Sequence, residues 1–219
     1  MTRFSDLVEK FSSFPVPLER GSREGRRSAV LMALTDDDDT RIVLTRRALT
    51  MRFHPGQVSF PGGSLEDGET PVQAALRETE EEVGLAPSEV AVLGELPDRS
   101  LAVSSNAITP IIGAISPDAK PVVVDAGEVH SVHQPSLAEL ANPEVRYNAT
   151  LPGLPYRGPA FIVEGIFVWG FTAHLLDGLL RVGGWEQPWD QKRTIEVPSG
   201  FRRERHYPRR HGREHDSPV

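Results

Sequence analysis

The order of apolar periodicities predicts an α/β protein, a mixed sheet held between helices as an α/β/α sandwich. Three observations carry this. Two segments rich in Val, Leu and Ile, Ser28–Thr35 and Arg41–Thr45, precede a capped helix that ends at Gly84. Further strand-like segments follow that helix. A second long helix, Phe171–Val182, comes late, with Phe171, Leu175, Leu179 and Val182 on one face. Propensity alone leaves the sheet topology open.

A chain of 219 residues, 38% of them hydrophobic, builds one ordinary core with a small appendage. Residues 1–27 read as an N-terminal helix and linker, 28–182 as the body, and 183–219 as a basic, flexible tail ending in Arg202, Arg203, Arg205, Arg209, Arg210 and Arg213. With 24 basic and 31 acidic residues, the net charge is −7. That argues against general nucleic-acid binding and against an anionic membrane surface, so an anionic substrate must be drawn in locally. The absence of cysteine excludes disulfides and thiolate zinc sites. No apolar run approaches the roughly 20 residues of a membrane span, and MTRFSDLVEKF lacks the apolar core of a secretory signal. The expected location is cytoplasmic, and an oligomer is left open.

In chain order, Phe4, Leu7, Val8 and Phe11 share one side of a short helix, expected to dock on the body. Residues 20–27 form a basic linker. Asp36–Asp39 joins the first two strands; it lacks the alternating spacing of a calcium loop and reads as a solvated turn. The segment 46–59 then gathers Arg46, Arg47, Arg52 and His54 just before Phe60-Pro61-Gly62-Gly63. Arginine forks suit phosphate oxygens. The two glycines end a strand in a turn where bare backbone can approach a ligand or metal.

The helix that follows is marked at both ends. Thr70 is a hydroxyl N-cap, Pro71 occupies the first helical position, and Gln73 completes a capping box. Gly84 supplies the left-handed stop. At about 100° per residue, Val72, Leu76, Thr79 and Val83 form one stripe with Ala75 beside it, and Glu78, Glu81 and Glu82 fall on the far side. Neighbouring carboxylates repel by a few tenths of a kcal/mol per pair, order of magnitude. Arg77, four before Glu81, offsets only part of that. A solvated acidic face is one reading; a hard divalent cation such as Mg²⁺, held by oxygen ligands, is the other.

Gly63, five residues, Glu69, seven residues, then Arg77-Glu78-Thr79-Glu80-Glu81-Glu82-Val83-Gly84-Leu85 resembles the Nudix box, the signature of Nudix hydrolases. Thr79 departs from the pattern, which asks for an apolar residue. The resemblance, which spans about Ser28 to Val182, implies the Nudix fold and metal-assisted hydrolysis of a nucleoside diphosphate linked to another moiety. It implies Mg²⁺ or Mn²⁺ held by Glu78, Glu81, Glu82 and a backbone carbonyl at Gly63. Arg77 would orient a catalytic carboxylate and Glu69 would pin the loop to the helix. Glu81, Glu78 and Glu128, in that order, are candidate bases.

The preceding segment narrows the resemblance. Leu44, Thr45, Arg47, Arg52 and Gly56 running into Phe60-Pro61-Gly62-Gly63 look like the added signature of the coenzyme A pyrophosphatase branch, with His54 and Gln57 in the same loop. Val43 stands in place of a leucine. This implies coenzyme A or a derivative as substrate, with Arg47, Arg52, His54, Gly56 and Gln57 meeting it or ordering the loop. Alternatives are another nucleoside diphosphate derivative (ADP-ribose, NADH, a nucleotide sugar or a dinucleotide), or a Nudix-like module that binds without turnover. A role for the basic tail in recruiting nucleic acid is a third.

Beyond the box, Glu89–Leu96 reads as a strand ended by Pro97, and Ala107–Ile115 as a strand interrupted at Pro110, which suggests an edge or bulge. In the loop between, Ser104, Ser105 and Asn106 are candidate substrate contacts. Val122–Asp125 and Val129–His133 read as two strands joined at Ala126-Gly127-Glu128. Ser136 and Glu139 make a second capping box, opening a helix at Leu137–Ala141. Residues 144–163 read as a hairpin closing the sheet, Ile166–Trp169 as the last strand, and His174 as a partly buried helix residue.

Overall fold

A computed structural model describes residues 4, 6–13, 19–20, 26–100 and 107–201. Helices α1 (Leu7–Ser13), α2 (Pro71–Val83), α3 (Leu137–Ala141) and α4 (Gly170–Val182) alternate with thirteen strands among the described residues. These are β1 (Glu19–Arg20), β2 (Arg27–Thr35), β3 (Leu44–Arg47), β4 (Val58–Ser59), β5 (Gly62–Ser64), β6 (Val90–Glu95) and β7 (Arg99–Ser100). There follow β8 (Ala107–Ile115), β9 (Val129–His133), β10 (Arg146–Thr150), β11 (Arg157–Val163), β12 (Ile166–Trp169) and β13 (Thr194–Glu196).

The main sheet runs β1-β7-β8-β2-β5, with β6 also paired to β8. It is mixed: β2 and β8 are parallel and the other pairs antiparallel. Alternation along β2 and β8 splits the core. Ala29, Leu31, Ala33, Ile111 and Ile115 pack towards α2, while Met32, Leu34, Ile112 and Ala114 pack towards α1, α3 and α4. The sandwich is therefore the expected one, helices on both faces of a mixed sheet. α1 is too short to persist alone. Burial of Phe4, Leu7 and Phe11, each contributing about 1.5–3 kcal/mol, holds it to the body.

Several expectations are corrected. The strand placed at Arg41–Thr45 begins at Leu44 instead, since the turn before it stays closed: the Thr35 hydroxyl donates to Asp37 at 2.7 Å and accepts from the Arg41 N–H at 2.8 Å. β3 then joins a separate sheet, β4-β3-β9. Pro110 lies in the middle of an unbroken β8 between two neighbours, not at an edge. Its carbonyl accepts from the Leu96 N–H at 2.8 Å, and the missing donor falls where β6 gives way to β7. Val122–Asp125 is not a strand. The Val122 and Val124 N–H groups donate to the Val83 and Glu82 carbonyls, covering two of the carbonyls that a helix end leaves without partners.

The hairpin at 144–163 forms as β10 and β11 but builds another sheet, β12-β11-β10-β13, and does not close the main one. Ile166–Trp169 is not the last strand. Thr194–Glu196 pairs in parallel with Asn148–Thr150, so residues 183–201, expected as flexible tail, belong to the body. Trp185 packs on the main core, against Gly183. Arg146, 1% exposed, is ion-paired to Asp177 and, at 3.4 Å, to Glu186, with Trp189 and Phe161 rings 4.8 and 5.5 Å away. The arginines named from 202 onward lie outside the described residues. Among the described residues no helix is long and apolar enough to cross a membrane.

Removing one partner from a buried ion pair is expensive even when the rest remains. Arg146→Met should lower stability by about 3 kcal/mol, the lower end of that range because Arg181 stays on Asp177 at 3.1 Å. The midpoint of a urea titration checks this.

Candidate active site

The caps set the register of α2. The Gln73 N–H donates to Thr70 Oγ1 at 3.3 Å, and the Thr70 N–H to Gln73 Oε1 at 2.9 Å. Gly84, at φ +73°, donates to the Glu80 carbonyl. Ala74 and Ala75, fully buried, let the helix approach the sheet closely. Thr79 fits the same apolar face, because its hydroxyl donates back to the Ala75 carbonyl at 2.6 Å and leaves the methyl to pack.

This register turns Glu82 inward, not outward with its neighbours. It is 4% exposed, and its Oε2 accepts from the Gly62 N–H at 3.2 Å. Burial pushes its carboxyl up to about 8; the Gly62 hydrogen bond and the Arg47 charge only partly oppose this, and Glu78 and Glu128 add to it. Glu78 is mostly enclosed too, and burial raises its carboxyl against the pull of Arg77. Glu81 differs: its side chain is 57% exposed and bonds to Arg77 Nη1 at 3.2 Å.

Gly62 and Gly63 are strand residues of β5 paired to Val30 and Ala29, not a turn. Gly62 has φ +148°, and a Cβ there would fall 2.2 Å from the Ala29 carbonyl oxygen, so only glycine fits. A Cβ on Gly63 would stand 2.3 Å from the Glu78 carboxylate. Bare backbone and two enclosed carboxylates thus face each other.

Arg77 ties three acids and a carbonyl together. Its Nε and Nη2 grip Glu69 Oε1 and Oε2 at 2.8 and 3.0 Å, Nη2 also reaches the Ser64 carbonyl at 3.1 Å, and Nη1 bonds Glu78 and Glu81. This fork, with the Glu66 N–H, holds the Glu69 carboxyl down to about 2. Glu69 therefore pins the loop before α2 to the helix.

The arginine-bearing loop splits between site and solvent. Arg47 ends β3 opposite Val129 and is the cation that acts on Glu82. Its Nε is buried without a hydrogen-bond partner among the described residues. Glu128, in the turn before β9, accepts from the Ala48 N–H through its carbonyl at 2.7 Å, and its charge reaches Glu78 and Glu82. Arg52, Phe53 and His54 are exposed at the loop tip, the Arg52 guanidinium 5.2 Å from the Phe53 ring. Gly56 closes the loop at φ +69°, its N–H bonded to the Arg47 carbonyl. Gln57 lies between His54 and Phe201. Sequence reasoning missed Phe201, which had been assigned to the tail and carries no local signal. Ser104, Ser105 and Asn106 lie outside the described residues, and His174 is a buried helix residue bonded to the Gly170 carbonyl at 2.8 Å.

Among the described residues no three acidic or histidine side chains converge as a ready metal cage. Arg77 holds Glu81 outward, while Glu78 and Glu82 turn to the glycines. The donor set still fits a hard divalent cation: carboxylate oxygens, a backbone kept clear of Cβ atoms, and a buried negative charge that the surrounding cations compensate only in part.

Enclosed carboxylates thus stand against paired glycines, beside an arginine-bearing loop. The chain belongs to the Nudix family: the NUDIX domain model matches residues 25–150. It is 36% identical over 185 residues, 81% of this chain and 94% of the other, to a protein of Escherichia fergusonii named as an uncharacterized Nudix hydrolase NudL. The protein of that name in Escherichia coli O7:K1 matches to the same extent. Among solved structures, the MutT protein of Methanosarcina mazei aligns with a TM-score of 0.48 and 18% identity over 75% of this chain and 98% of that one. Nudix hydrolases act on pyrophosphate bonds of small nucleotide derivatives and generally need a divalent metal such as Mg²⁺ or Mn²⁺.

The folded state holds the Glu82 proton more tightly than the unfolded chain, whose value is near 4.5. Without metal, stability present at low pH is therefore lost as pH rises from about 4.5 to about 8. The melting temperature in a chelator should fall across that window, and Glu82→Gln should flatten most of the fall.

Proposed function

We propose that this chain hydrolyses the pyrophosphate bond of coenzyme A or a thioester or disulfide of it. The products are 4′-phosphopantetheine, or its acylated form, and adenosine 3′,5′-bisphosphate. The observation that carries this reading is the junction of loop and acid pair. Arg47, from the segment that resembles the coenzyme A pyrophosphatase branch, is the cation that acts on the buried Glu82. That interaction supports reading the loop and the carboxylates together.

Glu78, Glu81 and Glu82, with the Gly63 carbonyl, would hold the divalent cation. Bound there, it neutralises the anhydride oxygens and lowers the pKa of water. Arg77 keeps Glu78 and Glu81 in fixed relation through one nitrogen, and Glu69 keeps Arg77 in place from the other side. Glu81, the most exposed of the three, is assigned as proton acceptor for the attacking water, ahead of Glu78 and Glu128. Water oxygen bonds to one phosphorus, the bridging P–O bond breaks, and the departing phosphate keeps the bridging oxygen. Arg47, Arg52 and His54 bind the anionic substrate, with Gly56 and Gln57 shaping the loop that carries them.

Incubation with Mg²⁺ or Mn²⁺ and a panel of coenzyme A, ADP-ribose, NADH and dinucleotides, with products separated by chromatography, tests the reading. Coenzyme A should be cleaved to the two named products. Cleavage of another member alone would replace the substrate, and no cleavage at all would make the chain a binding module. Glu82→Gln should lower kcat/KM by about 100-fold or more while the fold is retained.

A further inference from the structure

Phe201, the last described residue, is docked on the loop assigned to the substrate, although it is 144 positions from Gln57. The segment leading to it is fastened to the second sheet. Val197 is fully buried, its N–H donating to the Thr150 carbonyl at 3.0 Å. The Phe201 ring stacks on Phe167 of β12, centroids 6.2 Å apart and planes within 5°. Its edge covers Gly56, where an added Cβ would meet Phe201 Cε1 at 3.4 Å. The Phe201 carbonyl accepts from Gln57 Nε2 at 3.1 Å.

This last bond determines more than position. A carbonyl oxygen only accepts, so the amide of Gln57 must turn its amino group to Phe201 and its oxygen to His54. That oxygen also only accepts. His54 Nδ1, 3.2 Å away, must then carry the proton, and in a neutral ring Nε2 is the acceptor end. His54 has φ +54°, a conformation uncommon outside glycine.

We propose that the C-terminal segment ending at Phe201 is a positioning element of the substrate site: Phe201 orients Gln57, and Gln57 fixes the ring and tautomer of His54. This rests on the reading of residues 47–57 as the substrate loop. Phe201 touches no reacting atom; it acts through the loop. A hydrolase that owes its loop geometry to a segment packed on another sheet loses substrate affinity, not chemistry, when that segment is loosened.

The test uses the full chain with histidine labelled by ¹⁵N, and His54→Gln assigns the resonance. Two-bond nitrogen–proton correlations are recorded near pH 8.5, where an ordinary imidazole is neutral. His54 should show the Nδ1–H tautomer. Gln57→Leu and Phe201→Ala should shift it to the Nε2–H form that free histidine favours, and raise KM about tenfold with kcat within about twofold. Phe201→Ala keeps the carbonyl but removes the ring that anchors it on Phe167, whereas Phe201→Tyr keeps that ring and should match the unaltered protein. An Nε2–H tautomer in the unaltered protein overturns the proposal. So does an unmoved KM in both variants when Arg52→Ala raises it, for then the loop binds substrate without this support. If Arg52→Ala also leaves KM unmoved, the substrate-loop reading falls, and the proposal with it.

Discussion

A carboxyl group with little water to solvate its charge is the constraint around which this structure is arranged. Glu82 sits between helix and sheet with one backbone hydrogen bond and a guanidinium for company. An isolated carboxylate in such a place keeps its proton, and here burial outweighs both favourable contacts. The surroundings are organised to hold it regardless. Gly62 can donate to it because the two glycines of β5 lie against Ala29 and Glu78 without Cβ atoms, and the small Ala74 and Ala75 let α2 come close.

The remaining acids are sorted by their relation to Arg77. Glu69 receives the bidentate fork and is held fully ionised, a structural pin. Glu78 and Glu81 share a single nitrogen, one enclosed and one open to water. Carboxylates of similar chemistry thus acquire different surroundings from geometry alone. The Glu128 charge, delivered from the turn before β9, adds to the repulsion at Glu78 and Glu82. The oxygen donors gathered here are of the kind a hard divalent cation prefers.

What could be read in the sequence was what neighbouring residues decide. Thr70, Pro71, Gln73 and Gly84 delimited α2 to the residue, and Ser136 with Glu139 did the same for α3. The box spacing singled out Glu69 and Arg77, which the fold joins through a bidentate pair. The inward turn of Glu82 was not legible, because the line between a helix's wet and dry faces depends on what packs there, and β5 is a partner no periodicity announces. The same holds for Pro110, tolerated in a central strand at the gap between two partners. It holds for Val122–Asp125, β-rich in composition yet used to cover a helix end. Residues 183–201 were misjudged by composition: Trp185, Ile195, Val197 and Phe201 are few among polar residues, but each is an anchor.

Docking of Phe201 on Gln57 also sets an order of events during synthesis. The helix and glycine strand that carry the glutamates leave the ribosome long before the segment that braces the loop. The two ends of that contact are 144 residues apart, a lag of roughly 7 to 30 s at ordinary elongation rates of about 5–20 residues per second. A nascent chain therefore exposes residues 47–57 well before the segment that braces them.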